Sequence, residues 1–348
     1  MRPRSFDGVA HPGARCGWFL AAGLLAACSS PIDTTLRFDA APASGAGTSV
    51  DGDARDPSTP TPVDLASGEL ADGSSVPASA VGPHGGSVNL LHMGITGDAR
   101  PPACEDTAHY PSAVVAAIAK QFEQHGVDFV LDLGDHMYVC NDDLATATAQ
   151  MGLYTTATHN YSGTWFMTMG NHECWKGPCF PGSTNANYVA FMSALNPISP
   201  LPYYSFDVAT SKGLVTFVIV ADNGWSPTQA AWLEQTLTTA DKNATYTFVA
   251  RHHPEGDTTV STNPASMAII RKHKFSLFLS GHDHLYKHMT TDNGRDLVFG
   301  AGGAPLVAGG AFHGYVLLDQ QPSGQIVLTV YDVMTNAVQD TWTAGPNP

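Results

Sequence analysis

Asp128-Phe129-Val130-Leu131-Asp132-Leu133-Gly134-Asp135-His136-Met137-Tyr138 begins as a short apolar run and closes on a glycine followed by a carboxylate, an imidazole and a phenol. A run of this kind, β-branched in part, reads as a buried parallel strand that stops at the carboxyl edge of its sheet. Ligands of open α/β sheets bind at that edge. Taken alone, the stretch reads first as a strand and a polar turn whose Asp caps the next element. Four other strand ends change that reading.

Upstream, Val88 to Thr96 reads as a strand ending in Gly97-Asp98-Ala99-Arg100. Val114, Val115, Ile118 and Phe122 then recur at near-helical spacing, with Pro111 suited to a first turn. The sequence from Val88 to Tyr138 is therefore a β-α-β unit. Downstream, a weaker helix near 142–156 leads to the strand Thr164–Met169, which ends in Gly170-Asn171-His172-Glu173. A short helix is expected at about 185–195, and Tyr203–Val208 and Leu214–Ala221 should pair as strands. Ser226 and Pro227 open a helix through Leu237, the serine as cap and the proline at its first position. Thr245–Ala250 ends in Arg251-His252-His253-Pro254, and Phe275–Leu279 ends in Ser280-Gly281-His282-Asp283-His284. The tail reads as successive strands with glycine-rich turns. Alternating strands and helices followed by such a tail predict an α/β protein, a four-layer α/β/β/α sandwich of two mixed β-sheets flanked by helices.

Five strand ends thus carry Asp98, Asp135 with Tyr138, Asn171-His172-Glu173, His252-His253, and His282 with His284. Carboxylate, amide, imidazole and phenol together are donors that hard-to-borderline divalent or trivalent ions accept. No thiolate is among them, which argues against a structural zinc site of the cysteine type. Asp135 sits where one carboxylate could bridge two ions, the arrangement that clamps the attacking and leaving oxygens of a phosphoryl displacement.

The ordered blocks GD, GDxxY, GNHE, HHP and GHDH resemble those of the calcineurin-like metallophosphoesterases, and the tyrosine of the second block is similar to the purple acid phosphatase branch. The blocks run from Asp98 to His284. GNHE with GHDH in this order is a specific signal; any one block alone would be weak. The resemblance implies that Asp98, Asp135, Tyr138 and His284 hold one ion. Asn171, His252 and His282 would hold the second, with Asp135 bridging. It implies His172 as the catalytic imidazole, with Glu173 beside it to orient or polarise the ring. A metal-bound hydroxide would be the nucleophile, and the metals would be iron with iron, zinc or manganese.

One position departs from the family. Most members carry Asp-x-His in the first block, whereas this chain has Arg100 at the third position, a permanent cation without a lone pair. Tyr138 could supply the missing donor as phenolate, which favours Fe(III). Arg100 then either contacts substrate phosphate, which its fork matches, or pairs with a nearby carboxylate. His136 and His253 are further candidates for substrate contact. His253 follows a proposed ligand directly, and on a strand's period of two its ring should face away from that of His252. His92, His288 and His313 lack motif support.

The N-terminus points to export. Arg2, Arg4 and Arg15 precede an apolar run from Gly17 to Ala27, too short to span a membrane and flanked like a signal peptide. Leu25-Ala26-Ala27-Cys28 resembles a bacterial lipobox, so residues 1–27 are expected to be a signal peptide and Cys28 a lipid anchor in the bacterial cell envelope. Residues 28–86 are rich in Pro, Ser, Thr, Ala, Gly and Asp and read as a disordered tether. The catalytic domain would span 87–345. In an oxidising compartment the remaining cysteines can pair. Cys104 with Cys140, on two loops from one sheet edge, and Cys174 with Cys179 are the expected bridges. A formal charge of −15 disfavours nucleic-acid and membrane-surface binding, and no protein partner is evident. Fifteen histidines against sixteen Lys plus Arg hint at metal. The expected function is hydrolysis of phosphomonoesters, a small phosphate ester being the partner. A phosphodiesterase or nucleotidase of the same fold, and a non-catalytic lipid-anchored binding protein, are the alternatives.

Overall fold

The computed structural model describes residues 80–348 apart from 178, 258–262 and 291–294, together with two short strands at 63–64 and 69–70. The expected signal peptide, Cys28 and most of the expected tether lie outside the described residues. The short strands, β1 (Val63–Asp64) and β2 (Glu69–Leu70), pair with each other. The remaining strands form two mixed sheets.

The first sheet is built on three parallel strands, β5 (His92–Thr96), β6 (Phe129–Asp132) and β7 (Thr164–Met167). Helix α1 (Ser112–His125) connects β5 to β6, and α2 (Leu144–Thr158) connects β6 to β7. The C-terminal meander of β14 (Gly314–Gln320), β15 (Ile326–Asp332) and β16 (Val338–Ala344) joins this sheet through an antiparallel β14–β5 pair.

In the second sheet, β9 (Gly213–Val220), β10 (Tyr246–Arg251), β11 (Leu277–Ser280) and β13 (Arg295–Phe299) run parallel. It is extended by antiparallel β8 (Tyr204–Thr210) and β12 (Tyr286–Thr290). Beyond β8 lie β4 (Gly85–Ser87) and β3 (Ala80–Gly82). This hairpin falls inside the span read as tether. Apart from Val81, which reaches the core, it has little apolar surface, and it is held by main-chain pairing that composition does not reveal.

Alternation along the strands builds the layers. On β6, Phe129 and Leu131 face the core between the sheets while Val130 faces outward. On β9 and β10, Phe217, Ile219, Phe248 and Ala250 face inward while Val218, Val220 and Val249 face outward. Helix α1 covers the outer face of the first sheet, packing Ile118, Ala119 and Phe122 on Val130 and Leu317. On the far side α4 (Pro227–Asn243) and α5 (Asn263–Ile270) bring Leu233, Leu237, Met267 and Ile270 onto Val218, Val220 and Phe278. Aromatic rings lock the two sheets together: Phe129 stands edge-on to Phe217 at 5.3 Å, and Phe166 stacks on Phe206 at 3.8 Å. The expected four-layer sandwich is therefore present.

Local signals set several boundaries. Ser226 accepts from Gln229 N, with Pro227 at the first turn of α4, and Asp143 accepts from Ala145 N at the start of α2. Asn185 accepts from Tyr188 N to open α3 (Ala186–Leu195). Gly126, with φ 66°, closes α1. Helix α5 and strand β12 were not legible, and the tail splits between the sheets, β13 joining the second and β14 the first. Among the described residues, no helix is long and apolar enough to cross a membrane.

Candidate metal centre

Parallel strands of both sheets deliver their carboxyl ends to one rim. Asp98 follows β5, Asp135 follows β6, Asn171 follows β7, His252 follows β10, and His282 and His284 follow β11. Asp98, Asp135 and His282 have φ of 62°, 61° and 67°. Left-handed backbone of this kind is uncommon outside glycine, though Asp and His tolerate it better than most, and it costs about 1–3 kcal/mol per residue. Each bend turns a side chain off the strand axis and into the cleft. Glycines let the loops close: a Cβ on Gly170 would lie 2.2 Å from Asp135 Oδ1, and one on Gly281 would lie 2.4 Å from Asp98 Oδ2.

The two sheets are joined here by hydrogen bonds. His282 N donates to Asp98 Oδ2 (2.9 Å), and His252 Nδ1 donates to Leu133 O (2.8 Å). His284 Nδ1 likewise donates to Pro305 O at 2.7 Å. A carbonyl can only accept, so Nδ1 carries a proton in both rings, and Nε2 is the nitrogen left to face another partner, with a lone pair to offer once it gives up its own proton. His252 Nε2 lies 3.3 Å from Asp135 Oδ1 and 3.1 Å from Asn171 Oδ1. His282 Nδ1 lies 2.9 Å from Asn171 Oδ1, and His284 Nε2 lies 3.5 Å from Asp98 Oδ1.

Two donor groups emerge, Asp98–Asp135–His252 and His252–His253–His282, with one ligand atom per residue lying within 4.8 Å of the others in each. They share His252. Asp98 Oδ1 is buried without a hydrogen-bond partner, so the donor set offers lone pairs that the protein does not itself satisfy. Oxygen and imidazole donors arranged in this way fit a pair of hard-to-borderline ions. Charge compensation is already strong. Burial drives the Asp135 carboxyl up, but His252 and His172 outweigh it and hold the group well below the usual carboxylate range. Burial lowers His252, yet Asp135 and Asp98 raise it well above an ordinary histidine. Burial and the neighbouring His252 and His253 push His282 down to about 4.

A family model described as calcineurin-like phosphoesterase matches residues 91–286, more than half of the chain. The chain belongs to the calcineurin-like phosphoesterase family. Tartrate-resistant acid phosphatase type 5 of Rattus norvegicus is 23% identical over 218 residues, covering 53% of this chain and 64% of that protein. The chain thus spans less than two thirds of the length of the curated relatives it matches. A dimetal phosphatase from Danio rerio superposes with a TM-score of 0.55 at 14% identity, over 74% of this chain and 99% of the other. A purple acid phosphatase from yellow lupin (Lupinus luteus) seeds gives 0.53 at 16% identity, over 73% and 53%. At these identities the structural likeness is one of fold. The likeness runs to the acid phosphatases, the branch to which the tyrosine of the second block points.

His172, at this phosphoesterase rim, is buried, its ring stacked on Trp175 at 5.3 Å and edge-on to Tyr138 at 4.4 Å. Its Nε2 lies 3.7 Å from Asp135 Oδ2, its Nδ1 has no partner, and burial lowers its pKa. Arg100 Nε lies 3.9 Å from Asp135 Oδ2, with the guanidinium 4.6 Å above the Tyr138 ring. Of the two readings for Arg100, pairing with a carboxylate is the one its contacts favour. His253 is buried, with its Nδ1 on Asp222.

Two expectations need correction. His136, a candidate for substrate contact, is instead fully buried in a structural role, with Nε2 2.8 Å from Asp132 Oδ1 and Nδ1 3.4 Å from Glu173 Oε1. Its ring packs on Tyr154 and Phe191. Glu173 was expected to orient His172, yet its oxygens accept instead from the backbone N–H of Gly170 (2.7 Å), Asp135 (3.0 Å) and His136 (2.7 Å). It braces the loops after β6 and β7 against each other. Both errors have one origin: polar residues that follow a strand end were assumed to look outward, whereas these turn back beneath the loops.

Sequence reasoning also missed Asp132, the last residue of β6. It accepts from Gly134 N (2.8 Å) and from the Tyr154 hydroxyl (2.8 Å). A carboxylate inside an apolar strand was the only signal that could have found it. The bridges Cys104–Cys140 and Cys174–Cys179 are both present, with Cα separations of 5.6 and 5.7 Å. The first ties the loops after β5 and β6, and the second closes the turn after His172.

Burial alone would lower His136, but the carboxylates of Asp132 and Glu173 push it up to about 10. Its charge therefore stabilises the fold fully below the unfolded-state value of about 6.5, and that contribution falls as pH climbs through about 10. His136→Ala, which leaves two buried carboxylates without their counter-charge, should cost about 3–5 kcal/mol near neutral pH. Urea unfolding of both proteins between pH 6 and 10.5 reads this directly. The gap should narrow as pH rises, and a gap independent of pH would disprove the imidazolium clamp.

Proposed function

We propose that the domain hydrolyses phosphomonoesters at a pair of cations held on this rim. The carrying observation is the convergence of Asp98, Asp135, Asn171, His252, His282 and His284, with Asp135 in reach of both imidazole and carboxylate partners. Asp98, Asp135 and His284 would hold one ion, with Tyr138 as a fourth donor. Asn171, His252 and His282 would hold the other, and Asp135 would serve both. Bound there, such ions supply charge neutralisation for the phosphoryl oxygens and activation of water.

The chain's own residues then have distinct tasks. His172, wedged between Trp175 and Tyr138, presents a fixed imidazole that can hydrogen-bond phosphoryl oxygens or carry a proton to the leaving alkoxide. Arg100, paired with Asp135 and resting on Tyr138, adds positive charge beside the phosphate position. Glu173 keeps the backbone of Gly170, Asp135 and His136 in place. The family relationship and the acid phosphatase relatives support hydrolysis of phosphate esters. A retained, immobilised His172 supports catalysis over a purely binding role.

Full-length chain loaded with iron and zinc should hydrolyse an aryl phosphomonoester faster than the corresponding diester; the reverse ranking would replace the monoesterase reading with the phosphodiesterase one. His172→Ala should lower kcat by about 100-fold or more while atomic absorption still finds two ions per chain. Unchanged turnover would remove His172 from the mechanism. If Tyr138 binds iron as phenolate, the iron-loaded protein should show a visible charge-transfer band that Tyr138→Phe abolishes, and an active protein containing no iron would exclude that metal.

We also infer export and lipid attachment through Cys28, on the strength of the Leu25–Cys28 sequence and the apolar run before it. In a bacterial host, Cys28→Ser should abolish incorporation of a palmitate label and release the chain from the membrane fraction. Persistent labelling would overturn the anchor.

A further inference from the structure

Strand β10 ends at Arg251, so the alternation that would turn the His253 ring away from the site stops before it applies. Residues 252 and 253 lie in the bend beyond it. The His253 ring comes within 4.4 Å of the His282 ring and 5.0 Å of the His252 ring, centroid to centroid. One nitrogen from each of the three rings lies within 4.8 Å of the others.

His253 is held far more rigidly than a group that merely fills space. Its Nδ1 lies 2.9 Å from Asp222 Oδ2, and Asp222 is itself fully buried. Arg251 Nε is 3.8 Å from the same carboxylate oxygen. The guanidinium also donates to two successive carbonyls just after the ring's attachment, His253 O (2.9 Å) and Pro254 O (3.2 Å). Ring and backbone are thus pinned by one buried network.

The chemistry of that network fixes the tautomer. A carboxylate oxygen accepts, so Nδ1 carries the proton and Nε2 presents a lone pair. Carboxylate–histidine pairs of this kind orient metal-ligating imidazoles and make them better donors. His253 Nε2 has no hydrogen-bond partner, although its side chain is 1% exposed. It faces the His282 side of the cleft, 4.0 Å from Asp257 Oδ2, an oxygen that is also 3.3 Å from His282 Nε2. A buried acceptor left unmet is destabilising, and a cation in the cleft removes that cost.

We propose that His253 Nε2 is an additional ligand of the ion at the His252–His282 end, oriented by Asp222. This rests on the reading that the rim holds two metal ions. The two ends of the centre are then unequal. The Asp98–Asp135 end is oxygen-rich, whereas the His252–His253–His282 end is nitrogen-rich and suits a borderline ion such as zinc.

The test is zinc binding by the metal-stripped full-length chain, followed by calorimetry. Wild type should take two ions. His253→Ala should weaken one of them by at least about 10–100-fold and leave the other unchanged, with Asp222→Asn weakening the same ion by less. The visible spectrum of the cobalt-loaded protein should change in parallel, since one donor is lost. If His253→Ala does not fold by circular dichroism, His253→Gln and Asp222→Asn carry the same comparison. Two ions bound at wild-type affinity, with an unaltered cobalt spectrum, would show that His253 is not a ligand. A wild-type chain that binds no ion at all would instead overturn the dimetal reading itself, and this proposal with it.

Discussion

Four carboxylates, Asp98, Asp132, Asp135 and Glu173, are buried within a few residues of one rim, each at most 1% exposed. Bringing like charges together out of water is costly unless each acquires a counter-charge or hydrogen bonds. The structure resolves this in two tiers. Asp132 and Glu173 are satisfied by the protein, through His136, four backbone N–H groups and the Tyr154 hydroxyl. Asp98 and Asp135 each accept one backbone N–H, from His282 and His172, and otherwise face histidines and an arginine at longer range; Asp98 Oδ1 has no hydrogen-bond partner. The lower tier is architecture. The upper tier is left for cations.

The lower tier also explains how the upper one is held. Glu173 fastens the loop after β7 to the loop after β6, so the position of Asp135 depends on a residue that never reaches the cleft. Strained backbone at Asp98, Asp135 and His282 is maintained by such surroundings. The disulfide Cys104–Cys140 adds a covalent tie between two of the same loops. Precision at the rim therefore comes from beneath it, which is where functional geometry is best secured.

The second sheet contributes imidazoles and the first sheet mostly oxygen donors, so the centre exists only where the sandwich closes. Phe129, Phe166, Phe206 and Phe217 pack across the interior and set how the two rims meet. Core packing and site geometry are thus one problem: a change in the aromatic stack would displace His252 and His282 relative to Asp98 and Asp135.

Much of this was readable along the chain. The five motif blocks sit at strand ends because apolar runs closed by glycine, or in one case by Arg251-His252-His253-Pro254, leave little other reading, and Ser226-Pro227 marked the start of α4 for a local reason. Those inferences need only sequence-adjacent chemistry: alternation, caps, turn residues and donor types. The edge hairpin at 80–87, helix α5 and strand β12 were missed because main-chain pairing and docking, not local propensity, hold them. The inward turn of His136 and Glu173, the buried Asp132, and the Arg251–Asp222–His253 network were likewise decided only in three dimensions. Donor type is a property of a residue, but direction and partner are properties of the packed loops, and no periodicity extends through a bend to supply them.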